Sequence, residues 1–427
     1  MTAMLSLRAP FKVRALTHGR DLVKIYWEDG AQSNIASTWL RANVRDSRFF
    51  EPVSVLYRNN HLPFVAEGSP ITSVEQGEDK EHFTVNWEDH SSSFNASWVR
   101  AHDTLASSSL LKPFEPVLWD NQAKIPTYDY SRKDEELESW LMDLKKWGII
   151  FVHETPTNEK ALRNFLHVIG PLGQRLHPTD IFTFTAHAKE SMDVDYYSYG
   201  PEYLNGHTDA SYYTQPPKLL ALLPSYYSAP KEDTVSFFTD AFKVADDLRH
   251  EDPDAFHMLT TTLVRQARRR FAVEEDCDPS QLETYQVDLY KDIPRISLQG
   301  DKVSLIRLKF TKHGGFDLQL NRDDTRLKKF CRAYQAFQDK INDPVNQQAV
   351  VLRPGTMVVV DNHRVCHGRR KIHPTTARTV HGGYTSEDQW QSRWRVILGK
   401  RSGLEDKWLY GCSDETLEIL ANRHAEN

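Results

Sequence analysis

Gly206-His207-Thr208-Asp209-Ala210-Ser211-Tyr212-Tyr213 runs on through Gln215-Pro216-Pro217-Lys218 into Leu219-Leu220-Ala221-Leu222-Leu223. In an extended chain, residues i and i+2 point to one side, so His207 and Asp209 can aim at one ion while Thr208 points away. The apolar run from Leu219 predicts a buried strand. A second stretch, Gly355-Thr356-Met357-Val358-Val359-Val360-Asp361-Asn362-His363-Arg364-Val365-Cys366-His367-Gly368-Arg369-Arg370, carries another histidine, His367. Met357 to Val360 is apolar and rich in β-branched residues, which predicts a core strand delivering His367 from its end. The next β-like run, Arg378-Thr379-Val380, returns an arginine to the same interior, where antiparallel neighbours can bring it beside His367.

Two imidazoles and one carboxylate are the ligand set that holds Fe(II) on one face and leaves the other positions open. A guanidinium fork such as Arg378 suits the far carboxylate of a dicarboxylic co-substrate. A bare His-x-acid pattern is weak: 18 His and 59 acidic residues in 427 produce roughly two or three such matches by chance. A lone histidine is ordinarily a surface or satisfied core residue. The flanking strands and the downstream arginine give these three their weight.

Taken together, His207-Thr208-Asp209 with its Pro-Pro, Asp361-Asn362-x-Arg364-x-x-His367-Gly368-Arg369, and Arg378-x-x-x-Gly382-x-Tyr384 resemble the taurine dioxygenase superfamily over the last three quarters of the chain. Within it the pattern is most similar to the γ-butyrobetaine and trimethyllysine hydroxylases. The resemblance implies a mainly β fold with flanking helices: a double-stranded β-helix, or jelly roll. It implies Fe(II) on His207, Asp209 and His367, with 2-oxoglutarate and O2 as co-substrates and ascorbate as reductant. His363 competes as a ligand, but the family pattern places the ligand directly before Gly-Arg, which selects His367. Arg378 then takes the C5 carboxylate of 2-oxoglutarate. Thr234 is a second candidate for it, although Lys231-Glu232 stands before it where the family usually has Gly-Gly. Related halogenases carry a small residue at the position of Asp209, so the carboxylate argues against halogenation.

The related hydroxylases bind a trimethylammonium group in an aromatic cage. Tyr384 and Tyr197 match two cage positions, and Phe182 or Phe184 stands where a Trp is usual. Core packing is the default role of each. The implied activity is hydroxylation of a small amine, betaine or amino acid. A second reading keeps the cofactors but desaturates or cyclises an amino-acid-like substrate. A third is a non-catalytic metal-binding protein.

Residues 1–105 read as a small β-rich domain with a loose repeat. Val23-Lys24-Ile25-Tyr26-Trp27-Glu28-Asp29-Gly30 precedes Ser37-Thr38-Trp39-Leu40-Arg41, and Phe83-Thr84-Val85-Asn86-Trp87-Glu88-Asp89-His90 precedes Ser97-Trp98-Val99-Arg100. Each is an alternating hairpin followed by a short helix. In the family this domain usually binds zinc through Cys residues and one His. Here Ala42 to Ser47 holds no Cys and only His90 remains, so no zinc is expected. Trp27, Trp39, Trp87 and Trp98 are expected core anchors, and the domain is expected to serve dimerisation or to cover the active site. Residues 106–126 form a Ser- and Pro-rich linker, and 127–427 the catalytic domain. There Lys133–Lys146, Asn158–Ile169, Phe242–Thr262 (broken at Pro253) and Thr325–Ile341 read as helices.

A net charge of −6 gives no footprint for nucleic acid. Arg265-Gln266-Ala267-Arg268-Arg269-Arg270 reads as a solvated helix face. The four Cys lie far apart, which suits a reducing compartment. No apolar stretch approaches the length of a membrane span. A small-molecule substrate and a cytoplasmic location are expected, with mitochondrial as the alternative because the first residues are basic and free of acid.

Overall fold

The structure is a computed structural model that describes residues 11–51, 56–103, 115–170, 181–186, 202–228, 235–271, 286–308, 323–373 and 376–401. The fold is mostly β with several helices. It divides into one unit of residues 1–113 with 394–427 and a second of residues 114–393.

In the first unit, β1 (Val13–His18), β2 (Leu22–Trp27) and β3 (Gln32–Ala36) form an antiparallel sheet that leads into α1 (Ser37–Ala42). A short pair, β4 (Phe50–Glu51) and β5 (Leu56–Tyr57), and α2 (His61–Glu67) follow. The plan then repeats as β6 (Ile71–Gln76), β7 (His82–Trp87), β8 (Ser91–Asn95) and α3 (Ala96–His102). Alternation sends Val23, Ile25 and Trp27 from one repeat and Phe83, Val85 and Trp87 from the other into one core. Trp98 is buried and stacks on half-buried Trp39, ring centres 5.4 Å apart. The two repeats are tied crosswise: Arg41 grips Asp89 through both Nη atoms at 2.8 Å, and Arg100 donates to Asp29 at 3.0 Å. Each hairpin turn thus holds the other repeat's helix.

The second unit has two principal sheets. The larger runs in the order β11 (Ile181–Ala186), β22 (Arg378–Thr385), β13 (Leu219–Tyr227), β20 (Met357–Asp361), β10 (Ile149–His153), β9 (Thr127–Asp129). The smaller runs β12 (Leu204–His207), β21 (Val365–Arg369), β14 (Val235–Asp240), β19 (Gln347–Val351). Phe151, Leu220, Val358 and Val360 of the larger sheet share a buried cluster with Phe238 and Val365 of the smaller, so the sheets pack face to face. Strands β10 and β20 read as unbroken apolar runs because both their faces are covered.

Helices α4 (Lys133–Trp147) and α5 (Glu159–Ile169) lie on the outside of the larger sheet. Gly148 closes α4 in the left-handed region (φ 73°), and Asn158 caps α5 by accepting from Ala161 N. Helices α6 (Ala241–Glu251), α7 (Pro253–Thr261) and α8 (Asp324–Asn342) share a core with the hairpin β17 (Ile296–Gln299)–β18 (Lys302–Ile306) behind the smaller sheet. Helix α9 (Glu387–Arg401) follows β22.

Two sequence expectations need correction. Arg265 to Arg270 lies in β15 (Val264–Phe271), paired with β16 (Gln286–Ile293), and is not helical. Its first arginine finds an acid across the ladder: Arg265 forks onto Asp292 at 2.9 and 2.8 Å. Secondly, His367 does not hang from the end of β20. Residues 362–364 turn the chain out of the larger sheet, and His367 sits in the middle of β21 in the smaller one. His367 and Arg378 therefore belong to facing sheets, not to neighbouring strands.

Candidate active site

His207 closes β12 directly opposite His367 of β21 in the antiparallel register, with ring centres 4.3 Å apart. Asp209 follows two residues later, and its Oδ1 lies 3.5 Å from His207 Nε2 and 3.7 Å from His367 Nε2. The three donor atoms converge on common space, all within 4.8 Å of one another, and form the one cluster of this kind among the described residues. Thr208 points away: its hydroxyl donates to Ile306 O and its amide to Leu308 O.

His207 Nδ1 lies 2.8 Å from Asn205 O. A carbonyl only accepts, so Nδ1 carries a proton and Nε2 is the nitrogen turned to the centre. Burial pulls the His367 imidazole down to about 4, with His207 adding to the effect and Asp209 opposing it. His367 is thus neutral near pH 7, as a ligand must be. Burial alone would raise the Asp209 carboxyl, but His367, His207 and Tyr384 together hold it below the usual carboxylate range. Two imidazole nitrogens and one carboxylate suit a divalent iron ion.

Gly368, next to His367, is required for this approach. A Cβ there would lie 2.6 Å from Leu204 O and closer still to the Phe237 ring. Gly368→Ala is expected to push β12 from β21 and to cost about 1–3 kcal/mol of stability. Thermal denaturation checks this, and a variant as stable as the parent would mean that the strand pair has slack.

The turn between β20 and β21 works on the site from behind. Asn362, fully buried, accepts from Asp209 N at 2.7 Å and donates to Asp209 O at 3.1 Å and Pro217 O at 3.0 Å. His363 is turned away from the centre, with Nε2 2.9 Å from Pro216 O and Nδ1 3.4 Å from Glu387. Lys218 reaches Asp361 at 3.0 Å and Glu387 at 3.5 Å. Burial alone would discharge Lys218, but these two carboxylates hold its pKa above the ordinary value. The sequence Asp361-Asn362-His363-Arg364 does not by itself mark Asn362 as functional, because its partners lie 153 and 145 residues away in the chain.

On β22, alternation puts Arg378, Gly382 and Tyr384 on one face, with Thr379 and His381 on the other. Arg378 is 4% exposed, and its guanidinium carbon lies 5.1 Å from the Phe184 ring centre. Tyr384 donates its hydroxyl to Asp209 Oδ2 at 2.8 Å, and its ring lies 5.3 Å from that of Phe182. The structure therefore brings Arg378, Phe184 and Tyr384 onto one wall that ends at Asp209. Tyr197 and Thr234 lie outside the described residues.

A family model described as taurine catabolism dioxygenase TauD, TfdA family matches residues 111–384. Trimethyllysine dioxygenase of Meyerozyma guilliermondii is 22% identical over 92% of this chain and 98% of its own length. Gamma-butyrobetaine dioxygenase of Pongo abelii is 27% identical over 90% of this chain and 96% of its own. The enzyme of that name from a Pseudomonas species (strain AK-1) is 26% identical over 88% and 93%. The family match takes in well over half of the chain and both histidine stretches, so the chain belongs to the TauD/TfdA family and is a 2-oxoglutarate-dependent non-haem iron dioxygenase.

Proposed function

We propose that this chain hydroxylates an unactivated C–H bond of a small amine or betaine in the manner of a γ-butyrobetaine dioxygenase. His207, Asp209 and His367 would hold the iron, and Arg378 the C5 carboxylate of 2-oxoglutarate. The convergence of His207 Nε2, His367 Nε2 and Asp209 Oδ1 carries the reading. Full-length similarity to dioxygenases named for trimethyllysine and γ-butyrobetaine supports the substrate class. The two facing sheets fit the halves of a double-stranded β-helix.

Bound there, Fe(II) with 2-oxoglutarate and O2 supplies the oxidising power that inserts oxygen into a C–H bond. The chain's own residues orient and exclude. Arg378 fixes one end of the co-substrate, and Phe184 beneath its guanidinium holds the fork in place. Leu220 and Phe238, buried between the sheets, keep water from the interior.

Succinate formation with Fe(II), ascorbate and 2-oxoglutarate, run against γ-butyrobetaine, trimethyllysine, other betaines and free amino acids, tests the proposal. Stimulation by a trimethylammonium compound, with a product heavier by one oxygen, is expected. A product lighter by two hydrogens would move the chain to desaturation or ring closure. Arg378→Ala removes a charge-assisted fork of about 1.5–3 kcal/mol. It should raise the 2-oxoglutarate KM roughly 10- to 100-fold, since about 1.4 kcal/mol is a factor of ten. An unchanged KM would remove Arg378 from the co-substrate.

We also propose that the N-terminal unit stands without zinc. Phe49 stacks on Phe64 at 4.1 Å and both meet His90 edge-on, while His90 Nδ1 lies 2.7 Å from Arg48. An aromatic and cationic cluster surrounds the one histidine left from the family's zinc set. Dialysis against EDTA should leave the melting profile of the unit unchanged. Stoichiometric zinc retained after dialysis would contradict this.

A further inference from the structure

We propose that Tyr384 is a positioning residue for the metal-binding carboxylate: its hydroxyl, on Asp209 Oδ2, reserves Oδ1 for the metal. The inference rests on the proposed His207–Asp209–His367 centre and goes beyond it.

The two oxygens of Asp209 have different surroundings. Oδ1 is the atom 3.5 and 3.7 Å from the two imidazole Nε2 atoms. Oδ2 accepts from Tyr384 at 2.8 Å. The backbone of Asp209 is already fixed, because Asn362 bonds both its N and its O. The freedom that remains is rotation of the carboxylate, whose terminal torsion is broad and two-fold. A half-turn merely exchanges two equivalent oxygens, but intermediate angles would aim neither at the ion, and backbone clamping does nothing to prevent them. A donor on one oxygen fixes the plane of the carboxylate and presents the other oxygen to the ion.

The hydroxyl arrives already aimed. Phe182 pairs across the ladder with Gly382, two residues before Tyr384, and its ring occupies the space that a Cβ on Gly382 would need. That ring also packs against Tyr384. The tyrosine ring is thus held by a strand neighbour, and its polar tip by the carboxylate. Sequence alone assigned Tyr384 to a substrate cage by its ring; its hydroxyl carries a separate function on the metal ligand.

The test is Mn(II) affinity of the full-length protein, measured anaerobically from the EPR signal of free Mn(II), with the Co(II) absorption spectrum as a second readout. Tyr384→Phe keeps the ring and deletes the donor. Loss of an outer hydrogen bond to a ligand weakens metal binding about 10- to 100-fold. We expect a rise of that order in the Mn(II) Kd and an altered Co(II) spectrum. Wild-type Mn(II) affinity and Co(II) spectrum, with only the substrate KM raised, would overturn the inference and leave Tyr384 as a substrate contact. Asp209→Ala tests the metal centre itself. If it binds Mn(II) as tightly as the parent, Asp209 is no ligand, and the metal centre falls together with the inference.

Discussion

Asp209→Ala abolishes 2-oxoglutarate turnover while leaving the fold intact; this is the expected result with the largest effect on activity. Asp209 is the anion of the centre, and the two imidazoles beside it are neutral in their ligating form. Without it, a divalent ion faces two nitrogen donors and no countercharge. Removing even an outer partner of a ligand costs about 10- to 100-fold, so losing the ligand itself should exceed roughly 100-fold in succinate formation. The fold should survive for a structural reason. Asn362 grips Asp209 through backbone N and O, and an alanine offers both. The side-chain hydrogen bond from Tyr384 is lost, about 1 kcal/mol. Circular dichroism and the melting temperature should therefore stay near the parent's while turnover disappears. His207→Ala should behave alike. Succinate formation close to the parent's in either variant would remove that residue from the metal.

Much of this site was legible because short-range pattern carries it. His207 and Asp209 are two residues apart at a strand end, and the apolar run at Leu219 opens a strand whose first half is largely buried. The helices were legible from apolar spacing, as in α4, whose inner face holds Trp140, Leu141 and Leu144. What was not legible depends on which sheet a strand joins. Val358-Val359-Val360 and Val365-Cys366 look alike in sequence, yet one pairs with β10 and β13 and the other with β12 and β14. The intervening Asn362-His363-Arg364 contains no Gly or Pro to announce a turn. The arginine-rich β15 misled for a related reason: charge suggested a solvated helix, whereas its partners sit across a ladder that no local pattern reveals. The N-terminal repeat was visible as a repeat, but its crossed ion pairs, Asp29 to Arg100 and Asp89 to Arg41, exist only in three dimensions.

Arg364→Met should produce the largest loss of stability. Arg364 and Asp240 are 2% and 0% exposed and bond at 3.0 Å (Nε to Oδ1) and 2.7 Å (Nη2 to Oδ2). The guanidinium also donates to Lys146 O at 2.9 Å and to Val117 O. One side chain thus ties the turn before β21 to β14, to the end of α4 and to the segment before it. Asp240 in turn accepts from Phe242 N and Trp119 N, so it cannot turn towards water when its partner is lost. Breaking a buried pair from one side leaves an uncompensated charge and costs about 3–5 kcal/mol. At about 2–4 °C per kcal/mol for a large domain, the melting temperature should fall by roughly 10 °C. The double variant Arg364→Met/Asp240→Asn should recover part of this, because the stranded charge goes while an amide oxygen still accepts from Phe242 N. If the single variant loses less than about 1 kcal/mol, or the double is worse than the single, the pair is no strut. Because Arg364 lies three residues before His367, such a result would also mean that the metal-facing strand is anchored from its other side, through β12 and Gly368.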